Sequence, residues 1–456
     1  MYLNRGSFNL RRTRRNNITR IAVYIVLIFA GLYVLNLKDR GEVRPLFVAT
    51  PTATRSPASY AEEAQKQFSA GRLDDAINAY QRAIELDPQN ADYWIKLARI
   101  QVYAKQPQEG VTSAETAILR EPENSTAHAV HALALDWSGN YADASDAAVR
   151  AIQLDPNNAL AYAYYAEILV DQQRWAQAGD AARQALALDP NSMDAYRVYG
   201  YYLESTSNYE EAIQAYQSAL KINPNLAFLY MQIGVNFRQL AAKAITPEEQ
   251  QQNFDLAIQY FQRASAIDPN DIEPYRSISR TYFQMGEYGA SAQYLEEALK
   301  IDPTNALIHG DLGKVYFNAL NYESAIIELK CAVDGCSTKD DTIDDDDGAP
   351  EFNITPLELN GSTLETFYIY SSILAALSTP TDPHCQRARP LIQQIRSWVQ
   401  QNDPENPVVF GILDENENIC TIAEATAAAL GGNLGTPALT SGTGTPGPTP
   451  TGTPKP

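Results

Sequence analysis

The sequence predicts an all-α solenoid of antiparallel helix pairs with one N-terminal transmembrane helix. Three observations predict it. Variants of AIQLDPNNALAY recur along the chain, and their prolines, Pro88, Pro122, Pro156, Pro190, Pro224, Pro269 and Pro303, lie 34, 34, 34, 34, 45 and 34 residues apart. A fixed period of this size marks stacked supersecondary units, each contacting its neighbours, in place of one globular core. Within that period small and bulky residues return at helical spacing. Finally, Ile21 to Leu37 is a run of 17 residues without a charge, which is long enough to span a bilayer with little tilt.

The first twenty residues carry six arginines (Arg5, Arg11, Arg12, Arg14, Arg15, Arg20) and no acid, so 1–20 reads as a basic cytoplasmic tail under the positive-inside rule. The apolar run that follows exceeds the core of a cleavable signal and leads into LKDRGEVRP without a small-residue cleavage site. Residues 21–37 are therefore expected to be an uncleaved signal-anchor with the remainder of the chain exported. Residues 38–58 are rich in Pro, Thr and Ala and read as a linker. The repeats occupy 59–338, an acidic loop 339–360, a divergent terminal repeat and cap 361–430, and a Gly/Thr/Pro tail 431–456, expected to be disordered.

With the recurring proline as position 32, position 8 is small in every unit (Ala64, Ala98, Ala132, Ala166, Gly200, Gly234, Ser279, Gly313) and position 27 is alanine throughout, from Ala83 to Ala332. Position 20 is mostly alanine. Bulky residues recur at position 4, as in Trp94 and Tyr230, and at position 24, as in Tyr80, Tyr216 and Phe261. Helices approach closely at the small positions and the bulky side chains fill the space between them. The proline ends each second helix, and a following Asn158, Ser192 or Asp271 caps the next first helix. An insertion of 11 residues near AAKAITPEEQQ is expected to lengthen the second helix of the sixth unit, with Thr246 and Glu249 as a capping box and Pro247 at the first helical position.

This pattern resembles the tetratricopeptide repeat family, over about residues 57–337 as eight units. The resemblance implies a right-handed superhelix whose first helices line a concave ligand-binding groove. Carried over by position, it implies Arg197, Tyr201, Arg238, Arg276, Arg280 and Lys314 as groove residues, with Tyr103, Trp137 and Tyr164 as aromatic contact surface. Five cations on one face would receive a carboxylate, an acidic peptide or another anionic chain. Against that stand Asp194, Glu204 and Glu273, placed to neutralise the stripe. The function implied is a membrane-anchored, exported scaffold for other proteins. The alternative is an accessory of envelope polysaccharide or glycosyltransferase complexes that binds an anionic glycan.

A net charge of −20 excludes a general nucleic-acid binder, which needs clustered Lys and Arg against phosphates. No catalytic or phosphate-cradling motif is present, and neither a reaction nor a cofactor is expected. His128 and His131 share a helix face but occupy packing positions of the repeat. The run Asp340 to Asp347 has the oxygen density of a calcium site without its alternation, and reads as a solvated loop. The four cysteines, Cys331, Cys336, Cys385 and Cys420, admit three pairings. An exported chain favours Cys331 with Cys336 and Cys385 with Cys420, with a zinc site as the alternative.

Overall fold

The computed structural model describes residues 18–39, 55–337, 353–379 and 383–429. The arginines before residue 18, most of the linker, the run Asp340 to Asp347 and the tail from residue 431 lie outside the described residues. The chain divides into two compact units, Met1–Ser56 and Pro57–Pro456.

In the first unit α1 (Ile18–Asp39) contains the apolar run, and its side chains from Ile21 to Tyr33 are all exposed. Among the described residues no helix is long and apolar enough to cross a membrane. The described side chains of α1 stop at Tyr33, short of the end of the expected span at Leu37.

The second unit is a solenoid of hairpins, as the period requires. Its pairs are α2 (Pro57–Ser69) with α3 (Leu73–Leu86), α4 (Ala91–Tyr103) with α5 (Pro107–Arg120), α6 (Ser125–Trp137) with α7 (Tyr141–Leu154), and α8 (Ala159–Asp171) with α9 (Trp175–Leu188). They continue with α10 (Met193–Ser205) and α11 (Tyr209–Ile222), α12 (Ala227–Lys243) and α13 (Pro247–Ile267), α14 (Ile272–Gln284) and α15 (Tyr288–Ile301), and α16 (Ala306–Asn318) and α17 (Tyr322–Asp334). Each second helix also packs on the next first helix, so each unit buries the apolar face of its neighbour.

The alternation of small and bulky positions is what closes each hairpin. A Cβ on Gly234 would lie 2.5 Å from the ring of Phe261, because position 8 of the first helix sits on position 24 of the second. Gly234→Val should therefore overpack this contact and destabilise the array by about 1–3 kcal/mol, measurable by urea denaturation. The caps form as expected: the side chains of Asn158, Ser192 and Asp271 accept backbone N–H groups of their own first turns. Position 4 has a second task. Trp94 Nε1, Tyr230 Oη and the Nε2 of His128 and His309 each donate to the carbonyl of the proline six residues earlier, at 2.9–3.2 Å. His128 thus does the work of a Trp or Tyr at the hairpin junction.

The insertion is shared differently from the expectation. Thr246 does cap α13, which has 21 residues against 14 in α11, but α12 also gains a turn, with 17 residues against 13 in α10. Glu249 reaches back to the N–H of Ile245, not to that of the cap itself. Both helices of the pair extend together because each new turn of one covers the other, as Gln250 donating to the Ala241 carbonyl shows.

Beyond α17 a two-residue strand β1 (Cys336–Ser337) pairs antiparallel with β2 (Asn353–Ile354). Three helices, α18 (Leu364–Leu377), α19 (Cys385–Asn402) and α20 (Pro407–Ala429), then pack on one another, with α18 against α17. Tyr370, Ser371, Leu374 and Ala388 are all buried there. The disulfides are Cys331–Cys336 and Cys385–Cys420; the second ties α19 to α20.

The path of the superhelix brings its start back onto its middle. Asn225 Nδ2 donates to the Ser69 carbonyl at 2.8 Å, Lys105 Nζ pairs with Asp271 at 3.0 Å, and the rings of Tyr103 and Phe228 lie 5.1 Å apart. Gly71 permits this closure, since its φ is +78° and a side chain there would meet the Asn225 carbonyl.

Candidate functional site

Closure of the superhelix buries part of the inner face expected to be a groove. Arg197 is 5% exposed and forms a bidentate pair with Glu167 at 2.7 and 2.5 Å. Trp137 Nε1 donates to the same carboxylate at 3.0 Å. Arg99 pairs with Asp194, which also accepts the Tyr103 hydroxyl, and the Arg197 guanidinium lies over the Tyr103 ring. Burial pulls the Arg197 pKa down, but Glu167 outweighs it and the net shift is upward. Arg197, Tyr103 and Tyr164 are all buried. These three expected groove residues are largely buried, Arg197 and Tyr103 reaching clefts only at their edges; the physical reason is the contact between early and middle units, which spacing along one repeat does not reveal.

The later units differ. There α14, α15 and α16 border an open cleft of about 220 Å³ lined by Arg276, Arg280, Phe283, Leu295, Lys314 and Val315, among others. Arg276 is held by Glu273 and Asp311, and Lys314 by Asp311 and Glu365. The neutralisation expected from Glu273 thus occurs, and Asp311 adds to it. Burial first, then the two cations, act on the Asp311 carboxyl, and the cations prevail, holding it below the usual range.

Among the described residues neither Arg280 nor Arg238 has a carboxylate partner. Arg280 is exposed at the cleft. Arg238 lies over the Phe261 ring and donates to the carbonyl of the cleft residue Ser277. Burial, then the neighbouring Arg280, pull the Arg238 guanidinium down to about 10, so two uncompensated like charges sit side by side. Tyr201 and Trp137 lie elsewhere, on a second cleft between α6, α8 and α10.

That second cleft holds an unexpected group. Asp136 is 3% exposed, and its carboxyl oxygens receive no N–H or hydroxyl donor; its hydrogen-bond partner is the carboxyl of Asp171. Burial, then Glu167 and Asp171, push it from 3.8 up to about 9. Between those values the folded chain keeps a proton that the unfolded chain releases, so stability falls as pH rises through this window. Thermal unfolding should show Tm dropping from neutral pH to about pH 9, and Asp136→Asn should flatten that slope.

Family models for the tetratricopeptide repeat match residues 95–159, 130–192 and 166–227, and a TPR repeat model matches 65–106 and 280–319. The chain belongs to the tetratricopeptide repeat family. Such repeats suggest a scaffold for protein–protein interaction. A model of the plant-specific mitochondrial import receptor subunit TOM20 also matches residues 198–283 of this tetratricopeptide repeat array. No curated protein matches the chain. Among solved structures it is similar to the APC/C hetero-tetramer Cut9–Hcn1, at 17% identity and a TM-score of 0.49, covering 62% of this chain and 53% of that one. It thus spans about half the length of that relative. PilF of Pseudomonas aeruginosa is similar at 20% identity and a TM-score of 0.38, covering 46% of this chain and 91% of that one. The type IV pilus biogenesis factor PilW is similar at 22% and 0.39, covering 45% and 90%.

Proposed function

We propose that the chain is a single-pass, N-in membrane protein whose exported tetratricopeptide array is a scaffold that takes an acidic segment of a partner protein in the cleft of α14, α15 and α16, beside which Arg238 of α12 bonds the lining residue Ser277. The observation that carries the ligand chemistry is the pair Arg238 and Arg280, two neighbouring guanidiniums without a carboxylate partner among the described residues. A carboxylate placed between them relieves their repulsion and gains charge-assisted hydrogen bonds. Phe283, Leu295 and Val315 supply apolar contact beside it. Preorganised helices reduce the ordering cost of binding. For the anchor, the support is the charge-free run Ile21 to Leu37 directly behind six arginines, whose described side chains from Ile21 to Tyr33 are exposed. The two disulfides are in keeping with an oxidising compartment.

Fluorescence anisotropy with an acidic peptide tests the cleft. Binding should weaken at least about tenfold in Arg238→Glu or Arg280→Glu, and should weaken with salt. An anionic polysaccharide that binds where the peptide does not would favour the glycan reading. Topology is tested by protease protection of a C-terminal tag on intact cells: cleavage supports export, and protection places the array in the cytoplasm.

A further inference from the structure

We infer that the cleft between α6, α8 and α10 is a cation-recognition site that takes the ammonium or guanidinium group of a lysine or arginine side chain from a polypeptide partner. It is separate from the cleft at Arg238 and Arg280, and rests on the scaffold reading only in assigning the cation to a polypeptide.

Asp136 lies in the last turn of α6 and Asp171 is the last residue of α8. A helix C-terminus carries partial negative charge, so carboxylates there are destabilising. Two such termini and two such carboxyls converge on one cleft of about 550 Å³. Charged groups facing Asp136 are Glu167 and Asp171 of α8 and Arg197 of α10. Arg197 is already committed to Glu167 by both ends of its fork. Asp171 accepts the Tyr201 hydroxyl at 2.5 Å, and the buried Asp136, whose oxygens receive no N–H or hydroxyl donor, is left to share a proton with Asp171. Two carboxyl groups thus remain with no cation.

The walls indicate which cation. Trp137, Tyr141, Tyr201 and Phe228 line the cleft, and aromatic faces attract organic cations desolvated against them. Among the described residues no group of His, Cys, Asp and Glu is placed to hold a metal ion. A guanidinium or ammonium seated against Asp136 and Asp171 would supply the missing partner and draw the proton off Asp136.

Titration calorimetry on the full chain in detergent tests this, with a short Lys/Arg peptide, and with butylammonium and methylguanidinium as probes. The peptide should bind, and binding at neutral pH should release a proton, seen as a heat that varies with the ionisation enthalpy of the buffer. Affinity should rise up to tenfold per pH unit until about pH 9. Asp171→Asn should weaken binding at least tenfold, and Asp136→Asn, which keeps the side-chain shape, should abolish proton release. Undiminished peptide binding in both variants overturns the site. Binding of the small cations without the peptide overturns the polypeptide source while leaving the cation site standing. Loss of acidic-peptide binding in Arg280→Glu with basic-peptide binding intact separates failure at one cleft from failure at the other.

Discussion

Arg197→Ala is expected to destabilise the array by about 3–5 kcal/mol, because it strands the buried Glu167 carboxylate with only Trp137 as donor. The size of the effect follows from burial. An exposed pair such as Arg82 with Glu85 should cost no more than about 1 kcal/mol when broken. Glu167→Gln should also destabilise, since it leaves the buried guanidinium only the more distant Asp194, at 3.9 Å, as a countercharge. Replacing both by apolar residues of similar volume should recover much of the loss, as neither charge then remains buried. Urea denaturation of the two single variants and the double variant measures all three. Equal, additive losses would mean that the pair is not coupled. For binding studies the consequence is direct: a charge reversal at Arg197 reports on folding, whereas one at Arg280 reports on the cleft.

Opening the Cys385–Cys420 disulfide is expected to have the next largest effect. It closes a loop of 35 residues, and chain entropy assigns about 4 kcal/mol to a loop of that length. The Cys331–Cys336 bridge closes only 5 and should contribute about 2 kcal/mol. The larger loss falls on α19 and α20, which bury Leu391, Ile395 and Leu413 against each other and α18. Hydrogen exchange on Cys385→Ser should therefore show lost protection concentrated in these helices, with α4 to α11 little changed. Uniform loss along the chain would contradict a cap that contacts only its neighbour.

Much of the fold was legible because a repeat writes its local rules many times. The spacing of Pro156 and Pro190 implies hairpins, and the pairing of Gly234 with Phe261 is visible as small at 8 against bulky at 24. The candidate site was legible only in part. Arg276, Arg280 and Lys314 do line a cleft, but Arg197, Tyr103 and Tyr164 are interior. What hid this is the rotation between units, a small quantity per repeat that accumulates until Lys105 meets Asp271 across 166 residues. One signal for the buried network was present and overlooked. In a 34-residue repeat, residues 30 apart lie on facing ridges of neighbouring first helices, and Trp137 with Glu167, Glu167 with Arg197, and Asp171 with Tyr201 are all 30 apart. Opposite charges at that spacing mark ion pairs, not ligand contacts. Asp136 carried no such mark, since its peculiarity is the absence of a cation or N–H donor.

The central claim, that this solenoid engages an acidic segment through Arg238 and Arg280, is tested most directly by selecting peptides from a random displayed library on the full chain, with the Arg238→Glu/Arg280→Glu variant as counter-selection. The account predicts retained sequences rich in Asp and Glu that crosslink to a photoreactive residue replacing Phe283. Selected peptides with no acidic bias, or acidic peptides that bind wild type and variant equally and leave position 283 unlabelled, would contradict it.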